Sequence, residues 1–145
     1  MLRNVVTILP QFVKKLFYDH DISKLGLGIN KTQTNILMFI DENNDKSMTE
    51  ISSITGLEKS SFTRSVDYLV ENGFIEKNPQ MQDRRVITLS LSRKGIKAAQ
   101  VIREDFDSYC ESLLSCFSAE EREEFLSSLA TVSRYVHRLM DGEPT

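Results

Sequence analysis

The chain has 145 residues, of which 40% are hydrophobic, and its net charge is −3. This size and apolar content fit one globular domain with a substantial core, and they exclude a disordered tail or a repeat array. No apolar run approaches the ~20 residues that cross a bilayer, and the first segment becomes charged too early for a signal peptide, so we expect a cytoplasmic protein without a membrane partner.

The first predicted element is an amphipathic helix over "VVTILPQFVKKLFYD", in which Pro10 must kink the helix or lie in its first turn. The second helix follows Asn30, which forms an Asn-x-x-Gln variant of the capping box with Gln33. The apolar run "ILMFI" is predicted to be the buried face of this helix.

Two helices separated by a tight turn come next. The segment "SMTEISSITG" opens with a capping box of Ser47 and Glu50 and stops at Gly56, which suits a left-handed cap. The apolar stripe of the helix after it consists of Phe62, Val66, Leu69 and Val70. Two helices joined by a turn that contains glycine are typical of a helix-turn-helix.

A short β-hairpin follows. The segment "FIEKN" starts a strand, the loop "PQMQDRR" reverses the chain, and "VITLSL" returns with apolar and polar residues in alternation. Arg84 and Arg85 lie at the tip, where side chains project into solvent or onto a partner, and arginine suits phosphates and groove edges. We therefore predict a mainly α fold with a β-hairpin wing, a winged helix-turn-helix.

Two long helices are predicted after the hairpin. The fifth begins after Ser92, and the last is capped by Ser118 and Glu121. Apolar residues of the last helix, in steps of four and three, are Phe125, Leu129, Val132, Val136 and Leu139. This spacing is typical of a helix that packs along another helix.

The second helix of the helix-turn-helix, which carries Phe62 to Val70, is the recognition helix. Its polar flank is the candidate DNA-contacting surface. If the apolar stripe faces the core, the amino-terminal part of this helix presents Ser60, Ser61, Thr63 and Arg64. A helix-turn-helix places this end against base edges in the major groove, where hydroxyl and guanidinium groups contact bases or phosphates. An ordinary solvated surface is the alternative, and the arginine-tipped hairpin that follows favours DNA.

The distribution of charge also favours this part of the chain. Between Lys59 and Lys97 lie eight of the 18 lysines and arginines but only four of the 21 aspartates and glutamates. Charge alone does not separate a nucleic-acid partner from a solvated face. The helix-turn-helix and the hairpin in the same segment favour DNA as the partner.

Motifs for catalysis are missing: the sequence has no GxSxG, P-loop, GxGxxG or HExxH, and its two histidines lie near opposite ends. We expect no enzyme, no cofactor and no metal. Cys110 and Cys116 lie on one predicted helix without a nearby histidine to lower a thiolate pKa. Buried structural cysteines are favoured, and a thiol-responsive regulator remains an alternative.

The chain resembles the multiple-antibiotic-resistance regulator (MarR) family of bacterial winged helix-turn-helix proteins. The resemblance rests on "INKTQTNIL", on "MTEISSITGLEKSSFTRSVDYLVENGFIEK" and, most specifically, on "DRRVITLSLSRKG". In this family a wing Asp-x-Arg places its arginine at the minor groove while the aspartate stabilises the turn. The resemblance thus implies these roles for Arg85 and Asp83.

The resemblance also implies a homodimer built by the first and last helices. It divides the chain into a winged DNA-binding lobe of approximately residues 30–92 and a helical dimerisation lobe of residues 1–29 and 93–145. Many members release DNA when a small aromatic acid binds between these parts. A cleft there could be lined by Phe12, Phe17, Phe106 and Tyr109, although a packed core explains the same residues.

The combined prediction is a homodimeric transcriptional regulator, most simply a repressor, that binds double-stranded DNA at a pseudo-palindromic operator and responds to a small-molecule effector or represses constitutively. A protein-interaction module is the alternative from another class. In that case the same winged fold would dock an acidic protein partner through Arg84 and Arg85.

Overall fold

The computed structural model describes residues 2–44 and 46–140. The described chain is mainly helical and contains a two-stranded antiparallel hairpin, which confirms the predicted fold class. Its elements are α1 (Leu2–Tyr18), a 3-10 helix (Ser23–Leu25), α2 (Lys31–Glu42), α3 (Met48–Thr55), α4 (Lys59–Glu71), β1 (Ile75–Pro79), β2 (Ile87–Leu91), α5 (Arg93–Leu114) and α6 (Ala119–Met140). None of the helices described is long and apolar enough to span a membrane.

The helix ends follow local sequence signals. Asn30 accepts a hydrogen bond from the backbone of Gln33, whose side chain accepts one from the backbone of Asn30. Ser47 and Glu50 form the same reciprocal pair at the start of α3. Both predicted capping boxes are therefore confirmed, and Gly56 ends α3 with a φ of 62°, where a side chain would be strained.

The first helix continues through Pro10, which lies in the helix interior and not in the first turn. Because proline has no N–H, this turn lacks one backbone hydrogen bond. Ile8 and Val13 of α1 are about half exposed or more, at 63% and 47%. This helix therefore presents apolar surface that the described part of the single chain does not cover.

The chain divides into two compact units between Phe106 and Asp107. The first contains α1 to β2 and the beginning of α5, and the second contains the rest of α5 and α6. The predicted lobes of the chain, a DNA-binding lobe of approximately residues 30–92 and a dimerisation lobe of residues 1–29 and 93–145, stay a prediction.

The core of the first unit is apolar and joins the helix-turn-helix to the hairpin. Burial of such side chains is the main favourable term in folding. The predicted stripe of α4 contributes Phe62, Val66 and Leu69, whereas Val70 is half-buried. The buried residues of this core are Ile36, Leu37, Ile40, Ile51, Phe62, Val66, Leu69, Phe74, Ile75, Leu89, Ala98 and Ile102.

The wing strands pair in antiparallel register, from Ile75 opposite Leu91 at the base to Pro79 opposite Ile87 near the tip. The sequence predicts that buried and exposed side chains alternate along β2. Of the five residues of this strand, all of which the structure describes, only Leu89 is buried, and the other four are half-buried. The base of the hairpin is thus buried, and its tip extends away from the core.

The start of α5 lies against the start of β1. The Ser92 hydroxyl donates to the carbonyl of Phe74 over 3.0 Å and accepts the backbone N–H of Gly95 over 3.0 Å. A Cβ on Gly95 would lie 2.0 Å from the Phe74 carbonyl oxygen. Glycine is therefore required for this close approach.

The second unit has little interior of its own. Ser118 and Glu121 form the predicted cap of α6, and the rings of Phe117 and Phe125 lie 5.4 Å apart. Along α6, which is described over its full length, no residue is buried, and Leu139 is 82% exposed. The apolar seam of this helix is therefore available to another surface.

The two cysteines differ from the prediction. Helix α5 ends at Leu114, so Cys110 lies on the helix and Cys116 lies beyond it. Cys110 is half-buried and Cys116 is exposed. The expectation of two buried cysteines on one helix is wrong, because α5 ends two residues before Cys116, which lies exposed in the turn before α6.

Candidate nucleic-acid interface

The amino-terminal part of α4 carries four of the candidate DNA-contacting residues. Ser60 and Arg64 are exposed, whereas Ser61 and Thr63 are half-buried. The Thr63 hydroxyl donates to the carbonyl of Lys59 over 2.9 Å, which leaves its oxygen as an acceptor. Glu58 precedes the helix without a side-chain cap, so the first amides of α4 have no acceptor from that residue.

Charge is unevenly distributed along the outer face of α4, which forms a shallow groove. Its cations, Lys59 and Arg64, lie in the first half of the helix. Its acidic residues are Glu58, directly before the helix, and Asp67 and Glu71 in the second half. Among the residues that the structure describes, Arg64 belongs to no ion pair. The guanidinium is thus available to an acceptor outside the chain.

The wing tip is organised by one carboxylate. Asp83 Oδ1 accepts the backbone N–H of Arg85 over 3.0 Å and its Nε over 3.3 Å. The Arg85 side chain remains 93% exposed, and Arg84 is exposed as well. Asp83 therefore holds the turn while both guanidinium groups keep donors directed to solvent.

The wing and the recognition helix α4 are joined at the middle of β1. Lys77 Nζ of β1 lies 2.6 Å from Asp67 Oδ1 of α4. The pair is half exposed, so its contribution to stability is modest. It nevertheless holds β1 beside the outer face of α4. The two candidate DNA-contacting elements, the wing and α4, are therefore linked directly to each other.

A cleft of about 480 Å³ lies elsewhere in the first unit, where α1, α2 and α5 border it. A volume of this size is within the roughly 300–1,000 Å³ range of small-molecule sites. Its polar rim includes Lys31 and Arg103, and Arg103 is paired with Asp41. The apolar lining consists of Val13, Leu16, Ile22, Met38, Phe39, Ile102 and Phe106.

A buried histidine borders the same cleft. His20 Nε2 lies 2.6 Å from Asp105 Oδ2, and Lys24 Nζ lies 3.1 Å from Oδ1. Because an ionised carboxylate only accepts, Nε2 carries the proton. Burial alone would raise the pKa of Asp105, but the hydrogen bonds from Lys24 and His20 outweigh it, so the pKa is below its ordinary value of 3.8.

The four residues predicted to line a ligand pocket are placed differently. Phe106 borders the cleft, whereas Phe12 is half-buried in α1 and does not belong to the lining that the structure describes. The side chain of Phe17 lies outside the described residues, and Tyr109 belongs to the second unit.

Sequence reasoning missed His20, because its partner Asp105 is 85 residues away.

The half-buried cysteine is poorly suited to act as a thiolate. Burial first, and then the charges of Asp107 and Glu111, raise the pKa of Cys110 above its ordinary value of 9.0. The environment thus favours the neutral thiol, which is the less reactive form. Within residues 2–44 and 46–140, no group of three or more potential ligands could hold a metal ion.

Comparison with known proteins gives a consistent result. Residues 27–86, which contain the helix-turn-helix and most of the wing, match the sequence model of the MarR family. The chain is 26% identical over 106 residues to the HTH-type transcriptional regulator YwhA of Bacillus subtilis (strain 168). This alignment covers 73% of the chain and 76% of YwhA. It is 23% identical over 111 residues to the HTH-type transcriptional repressor YetL of the same organism. This alignment covers 77% of the chain and 66% of YetL.

The fold is also similar to a protein crystallised on DNA. The structure of Streptococcus pneumoniae FabT in complex with DNA superposes with a TM-score of 0.70 at 19% identity. The superposition covers 96% of this chain and 99% of FabT. At this identity the similarity establishes the common fold.

Proposed function

We propose that the chain, whose residues 27–86 match the model of the MarR family of DNA-binding transcriptional regulators, is a repressor that binds a pseudo-palindromic operator as a homodimer. Regulators of this family are DNA-binding proteins and not enzymes. A protein that binds its operator acts in the cytoplasm, where the chromosome lies. The repressor role is supported by the similarity to YetL, which is itself described as a repressor.

The observation that carries the proposal is a pair of exposed arginines, one on α4 and one on the wing, two elements that are linked by an ion pair. Arg64 lies on the outer face of α4 and Arg85 at the wing tip, and the Lys77–Asp67 ion pair joins the elements that carry them. A helix and a wing of this kind contact adjacent parts of a duplex, so the two guanidinium groups would read one half-site.

In the major groove, α4 would present its amino-terminal residues to the bases and phosphates. The hydroxyls of Ser60, Ser61 and Thr63 suit phosphates and base edges, and Arg64 suits guanine or phosphate. At the wing, Arg85 and Arg84 would enter or border the minor groove. There a narrow groove has an enhanced negative potential, which attracts arginine without a full reading of the bases.

The homodimer is supported by apolar surface that a single chain leaves exposed. Ile8 and Val13 on α1 and Val132, Val136 and Leu139 on α6 are each 46% exposed or more. Surface of this kind is typical of an interface between copies. Two copies related by a twofold axis would place their recognition helices in successive major grooves, about 34–36 Å apart.

The cleft supports an effector with an apolar body and an acidic group. Its lining is mainly apolar. At the rim, Lys31 offers a cationic partner to a carboxylate, whereas Arg103 is already paired with Asp41 and Glu42 adds a further negative charge. Such a ligand would release DNA if it favoured a spacing of the two recognition helices that does not match the operator. Addition of salicylate should then raise the melting temperature and weaken operator binding. No change in either would exclude this effector class.

The decisive experiment is DNA binding at several salt concentrations. The purified protein is titrated against the duplex that flanks its own gene and against a scrambled duplex of equal length. Specific repression requires tighter binding to the first duplex, a steep loss of affinity with salt, and a footprint with twofold symmetry. Equal binding to both duplexes, or none, would favour the alternative of a protein-docking wing.

A further inference from the structure

The connector between α1 and α2, defined as residues 19–30, touches three parts of the first unit. Its apolar side chains Leu25, Leu27 and Ile29 pack against the core. Gly26 and Gly28 adopt positive φ angles of 63° and 70°, so the chain turns twice within a few residues. The connector is therefore a well-packed segment and not a loose link.

The beginning of the connector is held to α5 by Asp105. The carboxylate of this residue contacts His20 over 2.6 Å and Lys24 over 3.1 Å. Because the Asp105 side chain is only 16% exposed, these contacts are less screened than surface ion pairs. The connector thus has a fixed position on the helix that also borders the cleft.

The end of the connector is held to the recognition helix. The Tyr68 hydroxyl donates a hydrogen bond of 2.6 Å to the carbonyl of Gly28. Tyr68 lies one turn after Arg64 on the same face of α4, about 6 Å further along the axis. The buried side chains of Phe62, Val66 and Leu69 hold the inner face of α4 to the core. The hydrogen bond of Tyr68 adds a restraint on the outer face, which carries Arg64.

We propose that Tyr68 is a positioning residue for operator recognition: through the Gly28 carbonyl it restrains small rotations of the outer face of α4, and it does not contact DNA. This inference rests on the proposed placement of α4 in the major groove. A bidentate base contact demands a defined direction of the guanidinium, whereas a phosphate contact tolerates small rotations. Loss of the hydroxyl should thus weaken specific binding more than non-specific binding.

The test begins with Tyr68→Phe, which removes only the hydroxyl. Operator affinity should fall about two- to tenfold, the range for loss of one hydrogen bond, while affinity for a scrambled duplex and the salt dependence stay unchanged. Ser127→Ala, which removes an exposed hydroxyl from the face of α6 opposite its apolar seam, should bind both duplexes like the parent. An equal loss on both duplexes for Tyr68→Phe would overturn the proposal.

A double-mutant cycle separates positioning from direct contact. Gly28→Ala adds a Cβ that meets no described atom within 4 Å but strains a φ of 70°, so it displaces the carbonyl that Tyr68 binds. If Tyr68 acts through Gly28, the double variant should lose less operator affinity than the product of the two single losses. If the losses simply multiply, Tyr68 acts independently of Gly28 and the proposal fails.

Arg64→Ala distinguishes the positioning role from the proposed function. If the parent protein binds the operator and the scrambled duplex equally, the proposed function is overturned. If the parent is specific but Arg64→Ala binds the operator like the parent, Arg64 does not read the operator, and only the positioning role is overturned. If Arg64→Ala loses operator affinity while Tyr68→Phe does not, only the positioning role is overturned.

Discussion

The carboxylate of Asp83 accepts hydrogen bonds from both the backbone N–H and the Nε of Arg85, over 3.0 and 3.3 Å. One side chain therefore shapes the wing tip and orients the guanidinium beside it, while that guanidinium remains 93% exposed. A guanidinium that is positioned before binding loses less conformational entropy when it meets its partner.

Arg85→Ala should weaken DNA binding broadly across sequences, because a wing arginine contributes through charge and groove shape. The slope of log affinity against log salt should become shallower by about one unit for each phosphate that the arginine of a subunit no longer neutralises. Binding curves at several salt concentrations on operator and scrambled duplexes measure both effects. Gln82→Ala, an uncharged change at the same exposed tip, should leave the slope unaltered.

Asp83→Ala should reproduce part of the Arg85→Ala defect, although it removes a negative charge that would otherwise repel DNA. The reason is that the turn loses its acceptor for the Arg85 backbone and side chain. The same binding curves test this. Tighter binding by Asp83→Ala would show that simple charge repulsion outweighs the shape of the turn.

Arg64→Ala should behave differently from the wing variants. If Arg64 makes a bidentate contact to guanine, its loss should cost roughly 1–3 kcal/mol per half-site and relax the preference at one symmetric position. Affinity measured on operators substituted at each base pair would locate that position. Arg134→Ala, on α6 in the second unit, is the matched control and should retain the parent's preference.

Val132→Asp should convert the dimer to a monomer at micromolar concentration. Val132 is 46% exposed in the single chain, so a charge there leaves the core intact and affects mainly an apolar interface. Light scattering gives the mass of the particle, and circular dichroism checks the fold. Ser127→Asp places the same charge on the opposite face of α6, and this variant should remain dimeric.

Gly95→Ala should destabilise the fold, although alanine is the better helix former by about 1 kcal/mol. The added Cβ would lie 2.0 Å from the Phe74 carbonyl oxygen, and neither backbone can move without disturbing the base of the wing. Overpacking of this kind costs typically about 1–3 kcal/mol, so a lower urea midpoint is expected. Gln100→Ala, exposed on the same helix, should change stability little.

Asp105→Asn should lower stability in a pH-dependent way. The pKa of Asp105 is depressed in the folded state, so its stabilising contribution is present above the ordinary value of 3.8 and disappears as the pH falls through the lower folded value. The free energy of unfolding of variant and parent should differ at neutral pH and converge below that range. Asp107→Asn, on an exposed position of α5, should show no such difference.

Short-range interactions made much of this protein predictable from its sequence. The capping boxes at Asn30 and Ser47 and the left-handed glycine at Gly56 depend on residues three or four positions apart, and the turn at Asp83 is just as local. The same locality gave the winged helix-turn-helix and its arginine tip, whose DNA contacts stay predictions.

Only the tertiary structure paired residues that are distant in sequence. His20 meets Asp105 across 85 residues, and Tyr68 meets Gly28 across 40. A side chain's helical spacing tells which face it occupies, but not which distant group lies opposite. That is decided when the apolar faces pack, because packing alone brings the connector, α4 and α5 within hydrogen-bonding distance.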